Sequence, residues 1–416
     1  MTKTLCALAV LLAAVSASAG NIKVAGVSVN PYYGLETRYE DNIYRTPRNI
    51  NNHAIAGGGV RGAWIISNNL GLKLTAPIGE KHKVTAAYDA VFENYSRQGR
   101  ANNSANQKAG AGYEFKGSKL GAKLFNDYVN TMDPAFNPNG TIVNGSAGLV
   151  ERERRWQNTA GGSAEYSLGD KFYAGVDAQT ARHQYLNRSG GAGSLANTLN
   201  KSEVTFGGKA GYKVAPKTKV FAAVHRTLLH YTEETRQDNH RDWDVDFGVE
   251  GSLASKLKGL VQVGFNYIQF DRDSANPTRQ TISRHLQSLV KLDYAITEKG
   301  KFALAANRST QDSASTGSRY FISSGVNLAY DHKFGKLGAG VDGGVQFDKY
   351  SENFTQGTET KTRRDDNYTL GAKADYKIND WASTGVSYRH NARFSTFSRQ
   401  FNYRDNITGF NAKLNF

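Results

Sequence analysis

The sequence predicts an all-β fold: a transmembrane, antiparallel up-and-down β-barrel of about eighteen strands with both termini on the periplasmic side. Three observations predict it. Apolar and polar residues alternate over segments of about ten residues. Short and long connections take turns between those segments. After the opening segment, no apolar run approaches the roughly 20 residues that a spanning helix needs, in keeping with a mean hydropathy of -0.55.

The opening residues read as an export signal, residues 1–19: Lys3 supplies the positive start, Leu5 to Val15 the apolar stretch, and Ala17-Ser18-Ala19 the small-residue cleavage site. Cys6 could be read as a lipid-accepting cysteine, but too little apolar chain precedes it. The mature protein, residues 20–416, is then one barrel domain without cysteine, and a closed sheet rather than disulfides must hold it.

Composition agrees with strands that are greasy on one face: 43 Gly, 22 Tyr and 20 Phe stand against 7 Pro and 2 Met, at only 39% hydrophobic. The formal net charge is +15. Its basic residues are spread along the chain rather than gathered in an arm or helix, which argues against a nucleic-acid partner.

From Val29 onward one unit repeats, an alternating segment and then a turn. Trp243, Val245, Phe247 and Val249 form one face of a segment whose other face carries Asp242, Asp244, Asp246 and Glu250. Tyr368, Leu370, Ala372, Ala374 and Tyr376 likewise alternate with Asn367, Thr369, Gly371, Lys373 and Asp375. A soluble sandwich alternates too, so the connections decide. Short turns fall near Pro77–Lys81, Lys116–Lys119, Leu168–Lys171, Ala215–Lys217, Ser255–Lys258, Thr297–Lys301, Lys333–Lys336 and Asn379–Asp380. Longer polar stretches separate them, near Thr46–His53, Ser96–Ala105, Asp133–Val150, Asn187–Lys201, Glu233–His240, Asp271–Gln280, Gln311–Ser318, Ser351–Arg363 and Ser395–Tyr403. Tight periplasmic turns and long extracellular loops are what a membrane barrel requires.

Tyr113, Tyr166, Tyr212, Tyr294, Tyr330 and Tyr376 each stand shortly before a short turn on the apolar face, which predicts an aromatic girdle at one membrane edge. The last segment alternates through Thr408, Phe410, Ala412 and Leu414 to Phe416. It resembles the C-terminal signature that the barrel-assembly machinery reads, and implies that machinery as a partner.

The polar faces should line the lumen, which in a barrel of 16 to 18 strands is an aqueous channel unless something blocks it. Alternation places Arg38, Arg61, Lys73, Lys108 and Arg155 there, and further on Lys209, Lys213, Lys291, Lys373, Arg389 and Arg393. Asp244, Asp246, Glu250 and Asp342 share the wall, as do Asp89, Asp177, Glu203, Asp293 and Asp375. Two readings stay open. The excess positive charge favours anionic or sugar-acid cargo, or interior charges pair with one another while loop bases meet outer-membrane lipid and lipopolysaccharide. Glu151–Arg155 and Lys361–Asp366, beside loops, suit headgroup contact.

No catalytic, metal or cofactor motif stands out. His183, His225, His230, His285 and His390 show no metal-ligand spacing, and His225 or His285 could serve a hydrolase only with a serine and an orienting group brought alongside. Gly57-Gly58-Gly59 lacks the helix of a phosphate-cradling loop.

The segment Val29 to Arg45, with its Asp41-Asn42-Ile43-Tyr44-Arg45 stretch, resembles the opening of the putative β-barrel porin 2 family. The resemblance implies an outer-membrane porin of the kind associated with capsule or exopolysaccharide secretion. It also implies a separate periplasmic polysaccharide-export protein as partner. Three functions are therefore expected in turn: a channel exporting a polysaccharide, an uptake porin for small anionic sugars, and a structural or adhesive barrel whose Asp133–Val150 loop plugs the lumen.

Overall fold

The computed structural model describes residues 22–24, 26–45, 47, 62–97, 99–133, 153–186, 199–232, 238–272, 279, 281–313, 318–356 and 358–416. Residues 1–19, read above as an export signal, the Gly57–Gly59 run, Arg61 and most of Asp133–Val150 lie outside those residues.

Eighteen long strands follow one another as a meander. They are β2 (Val27–Glu40), β3 (Ala63–Ile78), β4 (His82–Tyr95), β5 (Ser104–Lys116), β6 (Leu120–Asp133), β7 (Glu153–Leu168), β8 (Phe172–Tyr185), β9 (Lys201–Ala215) and β10 (Thr218–Tyr231). The rest are β11 (His240–Ala254), β12 (Leu257–Phe270), β13 (Ile282–Ala295), β14 (Gly300–Asp312), β15 (Tyr320–Phe334), β16 (Leu337–Gln356), β17 (Glu359–Lys377), β18 (Ala382–Ser395) and β19 (Tyr403–Asn415). Each pairs antiparallel with the next, and β19 pairs with β2 from Ile407↔Glu40 to Asn415↔Tyr32. The sheet closes on itself and leaves no long edge exposed. Beyond the end of β19, the short strand β1 (Ile22–Val24) turns back through Gly26, at φ 83°, and covers the remaining edge of β2.

The eight short turns lie where the sequence places them, and both ends of the described chain stand at that short-turn rim. Gly79 and Gly169 take the positive φ that a tight hairpin needs, at 61° and 69°. At the opposite rim one expected loop is replaced. Ser351–Arg363 is not a loop: β16 and β17 run on through it as a paired hairpin, with a register shift between Lys349 and Asn353. Thr355, Thr360, Thr362 and Phe354 favour strand. One face of the hairpin packs on Phe397 and Phe401 through Phe354 and Arg363, so the segment lacks the lipid-facing apolar stripe and its polarity imitated a loop.

Which face looks outward follows from exposure. Trp64, Ile66, Phe172, Val176, Phe247, Phe265, Val341, Leu370 and Phe410 are exposed, and in register they all fall on one face. In water this would be unfavourable; facing hydrocarbon it is the stable arrangement.

Candidate functional site

The inner face is the surface on which the side chains converge. Strand period and register place Arg38, Lys73, Lys108, Arg155, Lys209, Lys213, Asp244 and Asp246 on it. Glu250, Lys291, Asp342, Lys373, Arg389 and Arg393 lie on the same face. The six tyrosines Tyr113, Tyr166, Tyr212, Tyr294, Tyr330 and Tyr376 sit on the outer face near the short-turn rim.

In the half nearer the short turns, the inner charges form open networks. Lys209 spans from Glu165 (3.3 Å) to Glu250 (3.7 Å), and Lys219 reaches Glu165 while standing 4.3 Å over the ring of Tyr173. Lys373 meets Asp331 at 2.8 Å and Arg389 meets Asp342 at 3.4 Å. These groups are a quarter to a half exposed, so each pair contributes little to stability and leaves its charge accessible. Gly71 faces the ring of Tyr32, whose Cζ lies 2.1 Å from where a Cβ would sit. Only glycine allows that ring to lie flat on the wall.

Toward the long-loop rim the inner charges become buried. Arg38 pairs with Glu93 at 2.6 Å, and Glu93 also accepts from Ser104. Arg363 and Asp365, both 1% exposed, meet at 2.5 Å, with the guanidinium 3.6 Å above Phe401. These two residues are therefore not headgroup contacts, as their place beside a loop suggested; alternation turns them inward, while Arg364 and Asp366 point outward. Arg155, at the other such segment, also faces inward. Just beyond β2, burial weakens the charge on Arg45, but Tyr403, Glu40 and Asp405 outweigh it and raise its pKa.

The sequence did not foretell what happens at β14 and β15. Pairing between β13 and β14 stops at Ser288↔Arg308, whereas β14 and β15 stay paired to Asp312↔Tyr320. Released from β13 but still paired to β16 as far as Phe321↔Tyr350, the end of the β14–β15 hairpin leans over the inner face. Asp312 accepts from Lys201 of β9 at 2.6 Å and lies 3.5 Å from His240 of β11. Five strand spacings separate β9 from β14, an arc of ~24 Å at ~4.8 Å per spacing, so contact is possible only if the tip bends in from the wall. Arg319 anchors the same tip to Asp238 at 3.2 Å, and Tyr320 stacks on Phe270 with ring centroids 5.7 Å apart.

Between tip and wall lies a cavity of about 420 Å³. Arg155, His183, Lys201 and His240 line it together with Glu203, Asp242 and Asp312. Charges of both signs share its wall, with Lys201 paired to Asp312 and His240 lying 3.5 Å from Asp242. Lys201, His240, Asp312 and Arg319 were hidden in or at the edges of stretches that read as loops, and alternation sets Asp312 on the outer face of β14, so only the inward lean brings it to the lumen wall.

Two histidines acquire polar neighbours. Ser283 Oγ lies 2.5 Å from His285 Nε2 and 2.6 Å from Tyr320 Oη, and His225 Nε2 lies 3.3 Å from Asp177. Ser283 is buried, and among the described residues no carboxylate stands within 4 Å of His285 to orient it. Among the described residues no group of three metal-ligating side chains forms.

A family model described as putative beta-barrel porin 2 matches residues 22–416. Among solved structures the chain is similar to OccAB3 of Acinetobacter baumannii, at 12% identity over 93% of this chain and 99% of that one, with a TM-score of 0.47. It is also similar to the outer membrane protein opdK of Pseudomonas aeruginosa, at 11% identity, 95% and 100% coverage and a TM-score of 0.47. The siderophore receptor PirA of Pseudomonas aeruginosa follows at 9% identity, 92% and 80% coverage and a TM-score of 0.43. No curated protein matches the chain.

Proposed function

The chain belongs to the putative beta-barrel porin 2 family, a porin-like barrel of the bacterial outer membrane, and from that premise we propose that it is a non-enzymatic channel through which an acidic polysaccharide leaves the cell. The observation that carries this reading is the inner wall itself, where ammonium and guanidinium groups alternate with carboxylates and amides along the whole length. A strand of sugar needs many weak, exchangeable polar contacts rather than one tight site, and its acidic groups need cations spaced along the path. The charge pairs of the short-turn half, exposed and mutually satisfied, supply such contacts without trapping the cargo. A periplasmic export protein would feed the polymer to the short-turn rim, and the serine–histidine contact at β13 serves to hold Tyr320 rather than to catalyse.

The 420 Å³ cavity at the mouth favours a second reading, uptake of small anionic sugars, because its size suits a short saccharide. Recording purified protein in planar bilayers tests both. A stable ionic current that is anion-selective and blocked by acidic oligosaccharides supports a channel; no current, even with the β14–β15 tip removed, rules it out. Gene deletion separates direction: loss of surface polymer supports export, and loss of growth on acidic sugars supports uptake.

A further inference from the structure

On the outer face, a row spanning four strands sets two arginines and two aromatic rings among apolar residues. Register aligns Arg226, Trp243, Tyr267 and Arg284 side by side across β10, β11, β12 and β13. Each end of the row folds over its neighbour: the Arg226 guanidinium stands 4.6 Å above the Trp243 ring and that of Arg284 5.5 Å above Tyr267. Such stacking holds both cations at fixed places on the surface. Three strand spacings of ~4.8 Å put the two arginine backbones ~14 Å apart.

The surroundings specify the ligand. The next row toward the middle of the membrane is Val224, Val245, Phe265 and Leu286, all exposed or half-exposed and all apolar. On the loop side the adjoining row holds Arg241 and Gln269. Above β13, Arg279, Thr281, Ile282 and Arg284 line an open cavity of about 620 Å³. Among the described residues neither Arg226 nor Arg284 has a carboxylate within 4 Å, although Arg241 meets Asp271 at 3.6 Å. A cation beside hydrocarbon is costly unless an anion meets it, and among the described residues none does.

We propose that this row is a binding site for a lipid whose headgroup carries two phosphates, one on each arginine, with the sugar or polyol between them over Trp243 and Tyr267 and the acyl chains along the apolar rows. Arg182 over Trp156, at 5.8 Å, repeats the pairing on β7 and β8 with one arginine stacked on one ring rather than two on two, and so binds such a lipid less well.

Native mass spectrometry of the detergent-purified barrel, titrated with a diphosphorylated glycolipid, tests the site. One tightly held lipid is expected, with affinity at least tenfold lower for the dephosphorylated lipid and for the R226Q/R284Q variant, and unchanged for R182Q. Heat-modifiable migration in gels shows whether each variant is folded. Equal affinity of the folded R226Q/R284Q variant, equal affinity for dephosphorylated lipid, or equally tight binding of inorganic phosphate alone would each overturn the proposal, the last because the apolar rows would then play no part.

Discussion

Replacing Asp312 by alanine should release the β14–β15 tip and widen the channel. The carboxylate holds Lys201 at 2.6 Å and approaches His240 at 3.5 Å, with side chains that are 20%, 23% and 4% exposed for Lys201, Asp312 and His240. Breaking a fully buried pair costs ~3–5 kcal/mol and an exposed one ~0–1 kcal/mol. This pair lies between those limits, at about 2 kcal/mol. At ~1.4 kcal/mol per tenfold, the balance between docked and released tip moves ~30-fold. A tip free ~1% of the time would be free roughly a quarter of the time. Single-channel recording should then show either a larger conductance or frequent large-conductance episodes absent from the unaltered protein. The converse experiment uses Lys201→Cys with Asp312→Cys in a Cys6→Ser background, since Cys6 is the sole native cysteine, bridged by a short bifunctional methanethiosulfonate that replaces the length of the lysine side chain. The bridge should hold the small conductance and its reduction should relieve it. If D312A leaves the current histogram unchanged and the cross-link has no effect, the tip does not control the path.

Three further outcomes follow from the same geometry. Asp365→Ala leaves the buried Arg363 guanidinium without its carboxylate and should lower stability by ~3–5 kcal/mol, read from urea-gradient unfolding of the folded band, whereas Asp380→Ala in an exposed turn should not shift it. Leu370→Arg puts a charge on the lipid face and should cost ~2–4 kcal/mol if near the membrane centre, while Thr369→Arg, one residue away but facing the lumen, should be tolerated in the same unfolding assay. Lys219→Glu reverses a cation beside Glu165 in the open half of the lumen, and the zero-current potential in a salt gradient should move toward cation selectivity; an unchanged potential would mean that the ions do not pass that wall.

Most of this barrel was legible in the sequence because a strand has a side-chain period of two, and a sheet with lipid on one side and water on the other prints that period directly onto residues such as Tyr368–Tyr376. The short turns were equally legible, since Gly79 and Gly169 must sit where the backbone takes a positive φ. Where lipid ends, the print fades. In Ser351–Arg363 the face that carries Phe354 and Arg363 packs on Phe397 and Phe401 rather than on lipid, so no apolar stripe betrays a strand. The inward lean of β14 and β15 was illegible for another reason: it depends on Asp312 meeting Lys201, 111 positions away in the chain, and no local pattern encodes that distance. The same holds for the Arg226–Trp243–Tyr267–Arg284 row, which becomes a site only once the register of four strands is known.

The most direct test of a lipid-facing and a water-facing side along every strand is a cysteine scan of residues 368–376 of β17, again in a Cys6→Ser background, with spin labels read in reconstituted membranes. Labels at 368, 370, 372, 374 and 376 should be reached by oxygen dissolved in the lipid, and labels at 369, 371, 373 and 375 by a water-soluble nickel chelate, with strict alternation. Accessibility that varied smoothly or with a helical period of ~3.6 residues, or chelate access at both sets alike, would contradict a closed barrel around an aqueous interior.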